Sequence, residues 1–176
     1  MAYIRESDLK AASTSAQRTQ YASFYIKNSL ASASKSIFLS HSHKDRDLAK
    51  GLINYLAPLG LSLYVDWQDS TMPRITSRET AQNIKRTISE LDFFLILATP
   101  NALESRWVPW EIGVADQAKS HAKMAIMPVA DSNGNFQGNE YLLIYNRIEL
   151  DSLGGLLMRD SDNSWTVGEV KSWLAS

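Results

Sequence analysis

Three short stretches of this 176-residue chain gather side chains able to do chemistry. The first reads Ser40-His41-Ser42-His43-Lys44-Asp45. At the entrance to a helix, such a loop offers backbone N–H groups, hydroxyls and the Lys44 ammonium to a phosphate. It reads equally well as a polar loop in which Asp45 caps the helix. His41 and His43 raise the question of a metal, but a zinc site wants three or four protein ligands, and no Cys or further His stands nearby. No metal is expected.

The second stretch covers residues 66–75 and holds Trp67, Met72, Pro73 and Arg74. Arg74 is placed to meet a phosphate, and Trp67 either packs locally or faces a ligand. The third runs from Asn101 through Glu104-Ser105-Arg106-Trp107-Val108-Pro109-Trp110-Glu111 to Gly113. Proline suits the first turn of a helix, so Pro109 sets Glu111 in that turn. Two readings of Glu111 stand side by side: a carboxylate that does chemistry, or one that only complements the helix dipole, with Trp107 and Trp110 as packing residues.

The elements that must position these loops follow from periodicity. Ile37-Phe38-Leu39 is a short apolar strand, and Leu48, Leu52, Tyr55, Leu56 and Leu59 mark an amphipathic helix ending at Gly60. A second strand is expected at 61–65, a second helix at 76–89, and a third strand at 93–97, where Phe93-Phe94-Leu95-Ile96-Leu97 is apolar throughout. An unbroken apolar strand is buried on both faces. A third helix starts near Pro109, strands follow at 124–129 and 147–150, and Trp165, Val170, Trp173 and Leu174 predict a closing helix. This alternation predicts an α/β fold, a flavodoxin-like, doubly wound, five-stranded parallel sheet with helices on both faces. Ligands in such sheets sit beyond the carboxyl ends of the strands, which is where the three loops fall.

Residues 1–34 stand apart: they contain neither Gly nor Pro and space Leu9, Ala12, Ala16, Ala22, Ile26 and Leu30 at helical intervals. They predict an N-terminal helical extension, a helix from about residue 7 to about residue 30, ahead of a main domain at 35–176. The apolar stripe of that helix must be buried on its own domain or on a neighbouring chain.

Bulk composition excludes more than it selects. Eighteen basic and nineteen acidic residues give a net charge of -1 with no basic face, so neither nucleic acid nor an anionic membrane surface is expected as a partner. The absence of cysteine removes disulfides, thiol nucleophiles and thiolate metal sites, and suits a reducing compartment. The charged start of the chain and the lack of any run of about 18 apolar residues predict a cytoplasmic protein. No GxGxxG, GxxxxGK[ST] or GxSxG pattern is present, which argues against a Rossmann site, a P-loop and a serine hydrolase. A phosphoacceptor regulator would need acidic residues where this chain has Ser40-His41 and Ala98-Thr99.

IFLSHSHKD, LYVDWQDSTMP, DFFLILATPNALES, SRWVPWEIG and NRIEL, in that order, resemble the successive motifs of the TIR (Toll/interleukin-1 receptor) domain, over about residues 36–174. SRWVPWEIG is similar to the S-x-W-x-x-x-E pattern of bacterial stand-alone, NAD-cleaving TIR proteins. The resemblance makes Glu111 the catalytic acid. It makes Trp107 the motif's aromatic residue and Ser105 its serine, and residues 66–74 a loop through which copies self-associate; beside them, the loop residues Ser40, His41, His43, Lys44, Trp67 and Arg74 are candidates for contact with the substrate. It implies NAD as substrate with no cofactor, and a homo-oligomer. The product would be ADP-ribose or a cyclic ADP-ribose signal, answered by a separate effector in Thoeris-like antiphage immunity. A non-catalytic TIR adaptor is the alternative.

One carboxylate is enough for that reaction. The nicotinamide ring is cationic while bound in NAD and departs neutral, so no acid is needed at the leaving group, unlike the glycosidases that protonate a sugar oxygen. The developing oxocarbenium is what a fixed Glu111 would stabilise.

Overall fold

The computed structural model describes residues 2–14, 35–57, 61–69, 77–161 and 166–174. Five parallel strands, β2 (Ser36–Ser40), β3 (Ser62–Tyr64), β4 (Phe93–Ala98), β5 (Met124–Ala130) and β6 (Asn146–Leu150), lie in the order β3-β2-β4-β5-β6. This is the expected doubly wound sheet. Alternation along β4 explains its unbroken apolar run. Phe93, Leu95 and Leu97 pack with Leu48, Leu52 and Leu56 of helix α2 (Arg46–Leu56) on one face. Phe94, Ile96 and Ala98 pack on the other face with Ile84 and Ile88 of α3 (Arg78–Glu90), and with Val108, Ile112 and Ala115 of α5 (Val108–Ala118). Successive side chains of a strand point to opposite faces, so a strand covered by helices on both sides must be apolar at every position.

Three strands extend the sheet beyond the expected five. β7 (Leu156–Arg159) and β8 (Thr166–Glu169) continue it antiparallel past β6. The closing helix predicted from Trp165 is therefore confined to α6 (Val170–Leu174). Thr166 and Val167 are β-branched, and the free edge of β7 offers them a ladder, which overrides the helical spacing. Trp165 lies outside the described residues; Trp173 is buried, edge-on to Phe93 at 4.6 Å, with its indole N–H donated to the Ala122 carbonyl.

The third added strand comes from the N-terminus. β1 (Ile4–Arg5) runs parallel to Val129 and Ala130 at the carboxyl end of β5, and Ala2 exchanges two backbone hydrogen bonds with Leu150 at 3.0 and 2.7 Å. Helix α1 (Glu6–Thr14) then crosses α2, burying Leu9 and Ala12. The crossing is close because Gly51 has no side chain: a Cβ there would lie 2.0 Å from the Leu9 carbonyl oxygen. Asn54 donates from Nδ2 to the Ala12 carbonyl at 2.9 Å, satisfying an acceptor in the last turn of α1. The apolar stripe of α1 is thus covered by its own domain. The remainder of the helix expected to residue 30 lies outside the described residues. No helix among the described residues is long and apolar enough to cross a membrane.

Candidate functional site

Strand alternation also decides where β2 sends its last side chains. Phe38 belongs to the face covered by α3 and α5, so Ser40, two residues on, points the same way, while Leu39 belongs to the α2 face. Glu111 approaches from above on α5. That helix begins at Val108 with Pro109 in its first turn, and the Ser105 hydroxyl accepts the backbone N–H groups of Trp107 and Val108 at 3.2 and 3.3 Å. Ser105 therefore holds the start of the helix. The Glu111 N–H closes the first turn onto the Trp107 carbonyl at 2.8 Å.

Ser40 Oγ donates to Glu111 Oε2 at 2.5 Å, with Ser40 1% and Glu111 6% exposed. Removal from water dominates the Glu111 carboxyl and pushes its pKa up to about 8; the Ser40 hydrogen bond opposes this, and the nearby Asp66 charge adds to it. Burial thus favours the neutral acid of Glu111 over its carboxylate near neutral pH. A cation brought against it restores the carboxylate.

His41, one residue beyond Ser40, is turned to other partners. Its Nε2 accepts the Trp67 indole N–H at 2.7 Å, which leaves Nδ1 as the protonated nitrogen, 3.2 Å from the Leu39 carbonyl. Burial pulls its pKa below the ordinary histidine value, against the opposing charge of Asp66. Trp67 sits in a 3-10 turn, Asp66–Gln68, at the end of β3. Arg46 and Lys50 of α2 lie over its ring at 5.5 and 5.8 Å.

The other expected residues divide. Trp107 is half-buried, edge-on to Trp110 at 5.2 Å, and Lys85 of α3 covers Trp110 at 5.7 Å. His43 and Lys44 are exposed on a 3-10 turn, His43–Asp45, whose first free N–H, that of Lys44, is accepted by Ser42 Oγ at 3.3 Å. Lys44 pairs with Glu104 at 3.6 Å instead of joining Ser40 and Glu111. Met72, Pro73 and Arg74 lie outside the described residues.

Sequence reasoning treated Asp45 only as a helix cap. No cap bond from its side chain is found; its buried carboxylate accepts from Thr99 Oγ1 at 2.5 Å and from Asn101 Nδ2 at 2.6 Å, tying the loop after β2 to α4 (Pro100–Glu104) after β4. The signal available was Thr99-Pro100, a cap followed by a helix-starting proline, which marks where that loop must turn. Beside this strap, a cleft of about 260 Å³ opens at the carboxyl ends of β4 and β5, lined by Glu6, Asp45, Asp131, Asn101, Asn135 and Gln137 among others. Its wall carries three carboxylates and no basic side chain, and Glu111 is not part of it. It is a poor seat for a diphosphate. Among the described residues no group of three or more His, Cys, Asp or Glu could hold a metal ion.

Comparison with known proteins agrees with this architecture. A family model described as "TIR domain" matches residues 37–153. The chain is 33% identical over 142 residues to a Bacillus cereus (strain MSX-D12) protein named as a candidate 3' cyclic ADP-D-ribose synthase, ThsB', covering 78% of this chain and 71% of that one. It is also 33% identical over 79 residues to a Cytobacillus dafuensis protein named as a candidate cyclic ADP-D-ribose synthase, TIR2, covering 43% of this chain and 21% of that one.

Proposed function

The chain belongs to the TIR domain family, and on that premise we propose that it cleaves the nicotinamide–ribose bond of NAD and releases ADP-ribose or a cyclic ADP-ribose. The observation that carries this reading is the buried Glu111 carboxyl held by Ser40 at the carboxyl end of β2, between β3 and β4 in the sheet. The relatives' names supply the substrate class.

The chemistry follows from charge. The nicotinamide ribosyl group enters as a cation, and next to it the carboxylate form of Glu111 is favoured over the neutral acid that burial alone favours. As the C–N bond lengthens, positive charge moves from the pyridinium ring onto the ribose, and the buried carboxylate stabilises it where water cannot screen the interaction. Ser40 keeps one carboxylate oxygen fixed by its hydrogen bond. Trp107, half-buried at the head of the same helix, has an aromatic face for stacking and for limiting water, which bears on whether the ribosyl cation is captured by water or within the molecule.

Self-association through residues 66–74, a cytoplasmic setting and a separate effector that responds to the nucleotide product complete the proposal; they rest on the family resemblance. The test is incubation of purified protein with NAD over a range of protein concentrations, with mass spectrometry of every adenine-containing product and light scattering in parallel. Nicotinamide release with an ADP-ribose product, and specific activity that rises with concentration, support the reading. A folded, self-associating protein that leaves NAD intact would instead be the adaptor.

A further inference from the structure

Ser40 and His41 are adjacent in sequence, yet their side chains leave β2 in opposite directions, Ser40 to Glu111 and His41 to Trp67. Both imidazole nitrogens are already engaged, one on the Leu39 carbonyl of its own strand and one on the Trp67 indole. A ring used at both nitrogens is not available to bind substrate. It is in place to hold the backbone where β2 ends, and that backbone carries the Ser40 hydroxyl.

We propose that His41 and Trp67 form a positioning latch: the indole N–H, accepted by His41 Nε2, locks the turn after β2 so that Ser40 Oγ stays on the Glu111 carboxyl. The proposal rests on the reading of Glu111 as the carboxylate of the site.

Geometry supports it on each side. Trp67 is fixed independently of His41, because the cationic ends of Arg46 and Lys50 lie over its ring and its backbone N–H is accepted by Asp66 Oδ1 at 2.8 Å. The indole N–H reaches His41 Nε2 at 2.7 Å, with the two ring planes inclined at 71° and their centroids 6.2 Å apart. The latch therefore joins the end of β2, the turn after β3 and the face of α2. It demands a neutral imidazole, since a proton on Nε2 would set N–H against N–H. The charged or titratable groups around the pair are Asp66, His43, Asp45, Arg46 and Lys50, and His41 itself is 8% exposed.

Trp67→Phe removes the indole N–H, together with part of the ring's area, and leaves an aromatic face for Arg46 and Lys50. Two readouts are taken at one protein concentration, with light scattering to hold assembly constant: nicotinamide release, and the pH midpoint of the Glu111 side-chain carboxyl followed by its 13C shift. The latch predicts a kcat about tenfold lower, the scale of one hydrogen bond, with KM little changed. It also predicts a Glu111 midpoint displaced upward, in the direction of Ser40→Ala, because the hydroxyl that favours the carboxylate is no longer held. A wild-type Glu111 midpoint in Trp67→Phe overturns the proposal, whatever the activity does. If no form releases nicotinamide but the midpoint moves, the functional reading fails and the latch stands. Should Trp67→Phe not fold, His41→Gln and His41→Ala replace it. Gln offers an oxygen acceptor to the indole N–H and is expected to keep the Glu111 midpoint nearer wild type than Ala does; equal midpoints in the two variants overturn the latch.

Discussion

Ser40 and Glu111, 71 residues apart, meet in a buried hydrogen bond of 2.5 Å between the end of strand β2 and the first turn of α5. The carboxyl is thereby both desolvated and oriented. A carboxylate in water would be better solvated but free to rotate, and its interaction with a developing cation would be screened.

Removing the charge of Glu111 tests its role directly. Glu111→Gln is expected to lower nicotinamide release by about 100- to 1000-fold, the scale for one preorganised electrostatic group, while the protein stays folded. Turnover measured alongside circular dichroism checks this. Turnover near wild type in the variant would remove Glu111 from the reaction.

The same substitution reports on stability through pH. Folding raises the Glu111 pKa from its ordinary 4.5 to about 8, so the folded state retains a proton that the unfolded state has lost. The stability this supplies is fully present below 4.5 and is lost as pH rises through the folded value near 8. Above that value, wild type is expected to have lost on the order of 4 kcal/mol that Glu111→Gln, with nothing to ionise, does not lose. Urea unfolding of both proteins at pH 5 and pH 9 decides it; a difference that does not change with pH would mean that Glu111 is better solvated than its burial implies.

Trp107 faces Trp110 edge-on, and the two readings of its ring, substrate contact and packing, separate in the products. Trp107→Ala is expected to raise KM and to increase the share of hydrolysed over cyclised product, because an opened aromatic wall admits water. Unchanged kinetics and an unchanged product ratio, accompanied by a lowered Tm, would assign the ring to packing.

Gly51→Ala tests the union of the N-terminal segment with the domain. A methyl group 2.0 Å from the Leu9 carbonyl oxygen cannot be accommodated without shifting backbone, so α1 must move off α2. A loss of about 1 to 3 kcal/mol is expected in chemical denaturation. A neutral substitution would mean that α1 does not pack on α2 as closely as this.

Local pattern alone determined the layered sheet. Phe93-Phe94-Leu95-Ile96-Leu97 has no polar position to turn toward water, so as a strand it had to be covered on both faces, and the spacing of Leu48, Leu52 and Leu56 marked a helix with an apolar face to bury. Pro109 set the first turn that holds Glu111, for the equally local reason that proline fixes φ and lacks an N–H. Tertiary structure decided the rest. Ser40 is one serine among several until parallel pairing of β2 with β4 and the packing of α5 bring it to Glu111. The N-terminal stripe did not say which surface would cover it; the gap left by Gly51 on α2 did. The segment Thr166–Glu169, inside the closing helix expected from the spacing of Trp165, Val170, Trp173 and Leu174, became strand β8 because the edge of β7 satisfied its backbone. His41 looked like a ligand for phosphate or substrate in a polar loop, and only the fold showed both of its nitrogens already taken. Period and turn chemistry are written into neighbouring residues, whereas a hydrogen bond across 71 positions exists only once the chain has closed on itself.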